Sequence, residues 1–155
     1  QSSIIYISIY FVMNLALFCC LFMMRRNGKY YEEIEDLSGL SKNHPIISLS
    51  MLIILFSLAG VPPMAGFFAK FYIFTAVIEK SMYYLAVIGL LATVVSAFYY
   101  LRIIKIIYFD KEKEKYDKDY SLGLKITLTL STLIIFLYFI FPSKLVEIVS
   151  QINMI

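Results

Sequence analysis

Catalytic hardware is what this sequence has least of. Its two cysteines, Cys19 and Cys20, are adjacent inside an uncharged stretch. That spacing suits neither a metal nor an iron–sulfur cluster, and they read as packing residues. Nothing in the chain matches a glycine-rich dinucleotide fingerprint, a phosphate loop, or a nucleophile with its base. Redox chemistry is therefore not expected here, and no cofactor is implied within the chain. Charge is also scarce, at 16% of residues.

What the chain has instead is apolar length. Of its 155 residues 61% are hydrophobic, and the mean hydropathy is +0.79. Several uncharged runs are long enough to cross about 30 Å of hydrocarbon at about 1.5 Å per residue. The fold class that follows is an all-α integral membrane protein with four transmembrane helices, spanning about 3–24, 45–78, 81–108 and 122–142. No internal repeat is visible. Four helices are too few for a two-sided transporter, whose folds pair repeats about a pseudo-twofold axis. The first residue is Gln1, and no basic segment with a cleavage site precedes the first span. The expectation is the C-terminal part of something longer, or the product of a split gene.

Orientation follows from the basic residues. Loop 25–44 carries Arg25, Arg26, Lys29 and Lys42, while 102–125 carries Arg102, Lys105, Lys111, Lys113, Lys115, Lys118 and Lys125. The opposite side has only Lys80 and Lys144. The positive-inside rule then puts loops 25–44 and 109–121 on the cytoplasmic or matrix side. The net charge of +3 is thus a topology signal and points to no nucleic acid. Residues 110–119, DKEKEKYDKD, alternate in sign and read as a solvated connector, with a docking surface for a partner subunit as the alternative. Residues 30–40, YYEEIEDLSGL, read as a short interfacial helix.

One charge breaks the apolar pattern. Lys70 lies in 55–78, LFSLAGVPPMAGFFAKFYIFTAVI, which is otherwise uncharged. An ammonium near the bilayer centre costs at least about 2.5–3.5 kcal/mol, so a plain anchor has no use for it. Just before it stand Gly60, Pro62, Pro63 and Gly66. Proline has no amide hydrogen, so Pro62 frees the carbonyl of Leu58 and Pro63 that of Ala59. Carbonyls freed at membrane depth need protein partners or water. The expected arrangement is a second span broken into two half-helices around a short unwound link, with Lys70 about one turn into the second half. A lysine there can take up and release a proton, which an arginine cannot do. The bland alternative is a kinked anchor with a snorkelling lysine.

Other polar residues are weaker candidates. Gly89, Thr93, Ser96 and Tyr100 recur at helical spacing and form one stripe, either a small-residue packing face or a water-lined path. Asn14 shares a face with Tyr10 and is expected to bond across to a neighbouring helix. His44, before Pro45, either takes up protons at the negative-side surface or anchors the start of the helix.

The segments SLAGVPPMAGFFAKFYIF (57–74) and SAFYYLRIIKIIYF (96–109), together with YFVMNLALF, DLSGL and HP in order, resemble the N subunit of respiratory NADH:quinone oxidoreductase, called subunit 2 in mitochondrial complex I. The resemblance covers almost the whole chain. It implies the last four helices of a fourteen-helix antiporter-like inverted-repeat fold. It also implies that Lys70 matches the broken-helix lysine of the second repeat, in the exit half of a proton path. The related M-type subunit has glutamate there.

On this resemblance the function is proton translocation driven by quinone reduction elsewhere in the complex, against about 2.3 kcal/mol per charge for each 100 mV. Quinone, NADH, FMN and iron–sulfur clusters are expected in other subunits. The implied partners are the other membrane-arm subunits of complex I, the lipid bilayer and protons. The implied location is a bacterial inner or mitochondrial inner membrane, with several passes. The alternatives are a subunit of a multi-subunit cation/proton antiporter or membrane hydrogenase, and a structural segment that braces its neighbours.

Overall fold

The computed structural model describes residues 2–31, 33–113, 115–117, 119–142 and 147, and these are mostly helical. The first helix, α1 (Ser2–Met23), is uncharged throughout, mostly apolar and long enough to cross a bilayer. Ile5, Ile9, Met13, Ala16, Cys20 and Met23 recur every three or four positions and are all buried. They form the stripe an amphipathic helix turns toward its neighbours. Cys19 is buried beside Cys20, and both thiols are free.

After α1 come a two-residue hairpin, β1 (Arg25–Arg26) and β2 (Lys29–Tyr30), a 3-10 turn (Ile34–Leu37) and the short α2 (Leu40–Asn43). The hairpin turns on Asn27 and Gly28, both at positive φ (51° and 77°), the geometry for which Asn-Gly is strongly preferred. The expected single helix over 30–40 is therefore corrected to a strand end, a 3-10 turn and a new start at Leu40. Gly39, at φ 63°, interrupts it. A methyl group there would run into the backbone of Glu112.

Next follow α3 (Pro45–Ala59), α4 (Ala65–Glu79), α5 (Tyr83–Phe109) and α6 (Leu122–Leu137), the last extended by a 3-10 turn (Tyr138–Ile140). Helix α1 packs against α6, α4 and α3, while α5 packs mainly on α3. Among the described residues three helices are long and apolar enough to span a membrane: α1, α5, and α6 with its extension. Helices α3 and α4, at 15 residues each, reach only about 22 Å apiece.

Among the described residues of 110–120, Lys111, Glu112, Lys113, Lys115 and Asp119 are exposed, as a solvated connector requires, but the backbone and Tyr116 are tied to the rest of the protein. Tyr116 is only 5% exposed. Its N–H donates to His44 Nε2 (3.1 Å), and its hydroxyl donates to the Asp36 carbonyl (2.7 Å). Arg26 lies over the rings of both Tyr31 and Tyr116, at 4.6 and 5.1 Å. The Asp117 carboxylate accepts from the N–H groups of Asn27 and Gly28, and the Asp117 N–H donates to the Arg25 carbonyl (2.7 Å). Ser38 and Asn43 side chains donate to the carbonyls of Lys111 and Lys113. The segment is a strap across loop 25–44. One large aromatic among alternating charges decides this, because a tyrosine ring gains by burial while the charged side chains beside it stay in contact with water.

The strap also corrects the reading of His44 as a surface proton acceptor. His44 is 6% exposed. Because Nε2 accepts the Tyr116 N–H, it carries no hydrogen, so the ring is neutral with its proton on Nδ1. That proton faces the Tyr120 hydroxyl at 3.0 Å. His44 is a clasp between the start of α3 and the strap. Burial, then the charge of Asp36, pushes the Tyr116 phenol up to about 12, so it remains a neutral donor. Tyr116→Phe should cost about 1 kcal/mol for the lost bond to Asp36, and Tyr116→Ala about 3 kcal/mol. Denaturation of the solubilised protein should rank them in that order, with faster amide exchange in the strap.

Candidate functional site

The site begins where α3 stops. Gly60, at φ 88°, lets the chain turn back: its N–H donates to the Ser57 carbonyl and the Val61 N–H to that of Phe56. This pair of bonds is the Schellman motif. It serves two of the last carbonyls of α3 and leaves those of Leu58 and Ala59. Pro62 and Pro63, next in the link, have no N–H to offer them. The same two carbonyls that the prolines were expected to free are thus left over. The glycine ends the helix, and the prolines keep the link from serving it.

The Lys70 side chain takes them both. Its ammonium donates to the Leu58 carbonyl at 2.8 Å and the Ala59 carbonyl at 3.2 Å. Lys70 is half-buried, and among the described residues no carboxylate pairs with it. Hydrogen bonds to a charged group contribute about 1.5–3 kcal/mol each. Together they offset the cost of half-burying an ammonium that has no counter-charge. Carbonyl dipoles here do the work of a counter-ion. The Lys70 chain also crosses directly over Gly60, where an added Cβ would sit 3.1 Å from Lys70 Cδ.

Gly66 has a different task. Its amide donates to the Ser57 hydroxyl (2.9 Å), and a methyl group on it would overlap the Ser57 carbonyl. Helices α3 and α4 therefore meet backbone to backbone, a contact only glycine permits. Ser57 also donates to Met13 Sδ (3.0 Å), tying α1 to the same point.

Beside the lysine lies a cleft of about 460 Å³ walled by α1, α4 and α5. Gly89, Thr93, Ser96 and Tyr100 all line it, so the stripe on α5 faces Lys70. The Thr93 and Ser96 hydroxyls donate back to the carbonyls of Gly89 and Ala92, leaving oxygen lone pairs as their free function. Tyr6, Tyr10 and Met13 of α1 complete the wall, with Tyr6 and Tyr10 stacked at 5.9 Å.

Asn14 does not join them. Its amide donates to the Tyr10 carbonyl of its own helix (2.8 Å), which corrects the expected bond to a neighbour, and it does not line the cleft. His44 stands at the other end of α3, about 20 Å away along the axis. Ser57 and Tyr6 are the site residues that the sequence did not single out, while Tyr10 appeared there only as sharing a face with Asn14. The spacing of Tyr6, Tyr10 and Met13 was a signal for one face. Ser57 carried none, since one serine in an apolar helix looks like any other.

Comparison with known proteins gives the family of the chain. Residues 1–96 match the transmembrane family described as NADH:quinone oxidoreductase/Mrp antiporter. The chain is 74% identical over its whole length to the NADH-quinone oxidoreductase subunit N of Pelagibacter ubique (strain HTCC1062), covering 33% of that protein in its C-terminal part. It is 49% identical over 92% of its length to the subunit N of Parvibaculum lavamentivorans, and 44% over 94% to that of Paramagnetospirillum magneticum, covering 30% of each. The chain thus spans about a third of the length of these curated relatives. With residues 1–96 matched, well over half of its length, this apolar helical chain belongs to the transmembrane family of NADH:quinone oxidoreductases and Mrp antiporters.

Proposed function

We propose that this chain is the C-terminal part of a proton-translocating membrane-arm subunit of an NADH:quinone oxidoreductase, and that Lys70 is its proton relay. The observation that carries the reading is the ammonium held by the Leu58 and Ala59 carbonyls beside a cleft lined with hydroxyl groups. A lysine bound only by dipoles is stabilised enough to persist, yet it is not locked by a full counter-charge. It can therefore give up a proton when water or a charge rearranges nearby. Thr93, Ser96 and Tyr100 offer oxygens along which water can stand. In this reading α3 and α4 are the two halves of one broken span, α3 entering from the negative side, so that four spans cross the membrane.

The relatives' name, NADH-quinone oxidoreductase subunit N, favours this assembly over a free-standing antiporter or a bracing segment. The bacterial relatives favour the inner membrane as its location. Nicotinamide, flavin, iron–sulfur and quinone chemistry would belong to other subunits. This chain's part is to hold and pass a proton, with the remaining membrane-arm subunits and lipid as its neighbours.

Lys70→Ala and Lys70→Arg, made in the full-length subunit of the assembled complex, should each lower protons pumped per quinone reduced by at least about tenfold, a modest effect for a positioned proton-transfer group. Wild-type pumping by the alanine variant would refute the relay. Gly60→Ala should cost about 1–2 kcal/mol for the left-handed backbone and press on Lys70. Gly60→Asn, which tolerates that backbone better, should cost less, as read from denaturation midpoints and the same pumping ratio.

A further inference from the structure

Ser57 is fully buried, and the proton-relay reading gives it no part. Its hydroxyl has both of its functions occupied. It accepts the Gly66 N–H at 2.9 Å and donates to Met13 Sδ at 3.0 Å. The first of these bonds is unusual in origin. Amides in the first turn of a helix lack intrahelical partners, and a side chain at the N-cap commonly serves them. The N-cap of α4 is Met64, which supplies no capping bond. The cap comes from the neighbouring helix instead.

Its position ties it to the lysine. Ser57 directly precedes Leu58 and Ala59, whose carbonyls hold the ammonium. Gly66 precedes Lys70 by four residues, one turn on the same face. The hydroxyl–amide bond and the ammonium–carbonyl bonds are successive rungs between the same two helices. A slide of α4 along α3 that breaks the first also moves Lys70 relative to both carbonyls. The absence of any side chain on Gly66 lets the backbones approach closely enough for the hydroxyl to reach.

We infer that Ser57 is a positioning residue for Lys70: its hydroxyl caps α4 from α3 and sets the register in which the ammonium meets the Leu58 and Ala59 carbonyls. This rests on the proton-relay reading of Lys70 and assigns the residue that holds it in place. Met13 orients the hydroxyl by taking its hydrogen, so that an oxygen lone pair faces the Gly66 amide.

The test uses the full-length subunit in the assembled complex, reconstituted in proteoliposomes, with quinone reduction and proton uptake measured on the same preparations. Ser57→Ala nearly keeps the volume and removes only the hydroxyl. It should lower protons pumped per quinone by at least about fivefold, the lower bound of usual couplings between sites. Ser57→Cys, a weaker donor and acceptor in the same place, should recover part of that ratio. On a Lys70→Ala background Ser57→Ala should change nothing further, because a residue acting through Lys70 has nothing left to act on. A residue that merely fills space would leave the ratio unmoved or add its loss to that of Lys70→Ala, and either result overturns the inference. Wild-type pumping by Lys70→Ala alone would overturn the relay itself, a separate outcome. Should Ser57→Ala lower the amount of assembled complex, Ser57→Cys carries the same comparison on both backgrounds.

Discussion

Two carbonyl oxygens at the end of α3 and one ammonium from α4 form the contact on which the rest of this structure turns. The end of a helix leaves carbonyl acceptors without intrahelical partners, and a half-buried ammonium is a donor that needs acceptors. Each is a liability alone, and together they offset one another. The Schellman turn at Gly60 determines which two carbonyls are left, and the spacing from Gly66 to Lys70 sets which side chain can reach them. The link between α3 and α4 is therefore what brings these groups together.

The opposite end of α3 is built on a different principle. There the strap 110–120 clasps His44 through the Tyr116 amide and the Tyr120 hydroxyl, and Arg26 lies over two tyrosine rings. These are neutral hydrogen bonds, backbone acceptors and cation–π contacts at the edge of the apolar region, where water screens the charges left over. One end of α3 is thus held rigidly by many polar contacts. The other is held by the Ser57 hydroxyl, which bonds Gly66 and Met13, and by the Lys70 ammonium.

Much of the site was legible in the chain because its signals are one-dimensional. A charge in a long apolar run, a glycine where a helix must turn, and prolines without amides all speak without reference to any distant residue. The stripe Gly89, Thr93, Ser96 and Tyr100 was legible as a face, but whether that face met lipid or Lys70 depended on how α5 lies against α4. Asn14 misled, and the two readings of His44 could not be separated, for the same reason. An amide in an apolar helix can bond its own backbone as readily as a neighbour. A histidine next to a charged loop is exposed only if nothing covers it, and Tyr116, 72 residues further on, covers it. The Asn27-Gly28 turn was a local signal that the charge pattern around it obscured.

By itself the sequence determined the class of molecule, the energetic cost of Lys70 and the end of α3, because apolar length, charge and the backbone freedom of glycine are properties of residues and their immediate neighbours. Only the tertiary structure decided what holds the ammonium, which hydroxyl caps α4 and which residues share the cleft. Those depend on donors and acceptors from separate helices arriving within about 3 Å of one another, and no pattern along a single chain specifies that distance.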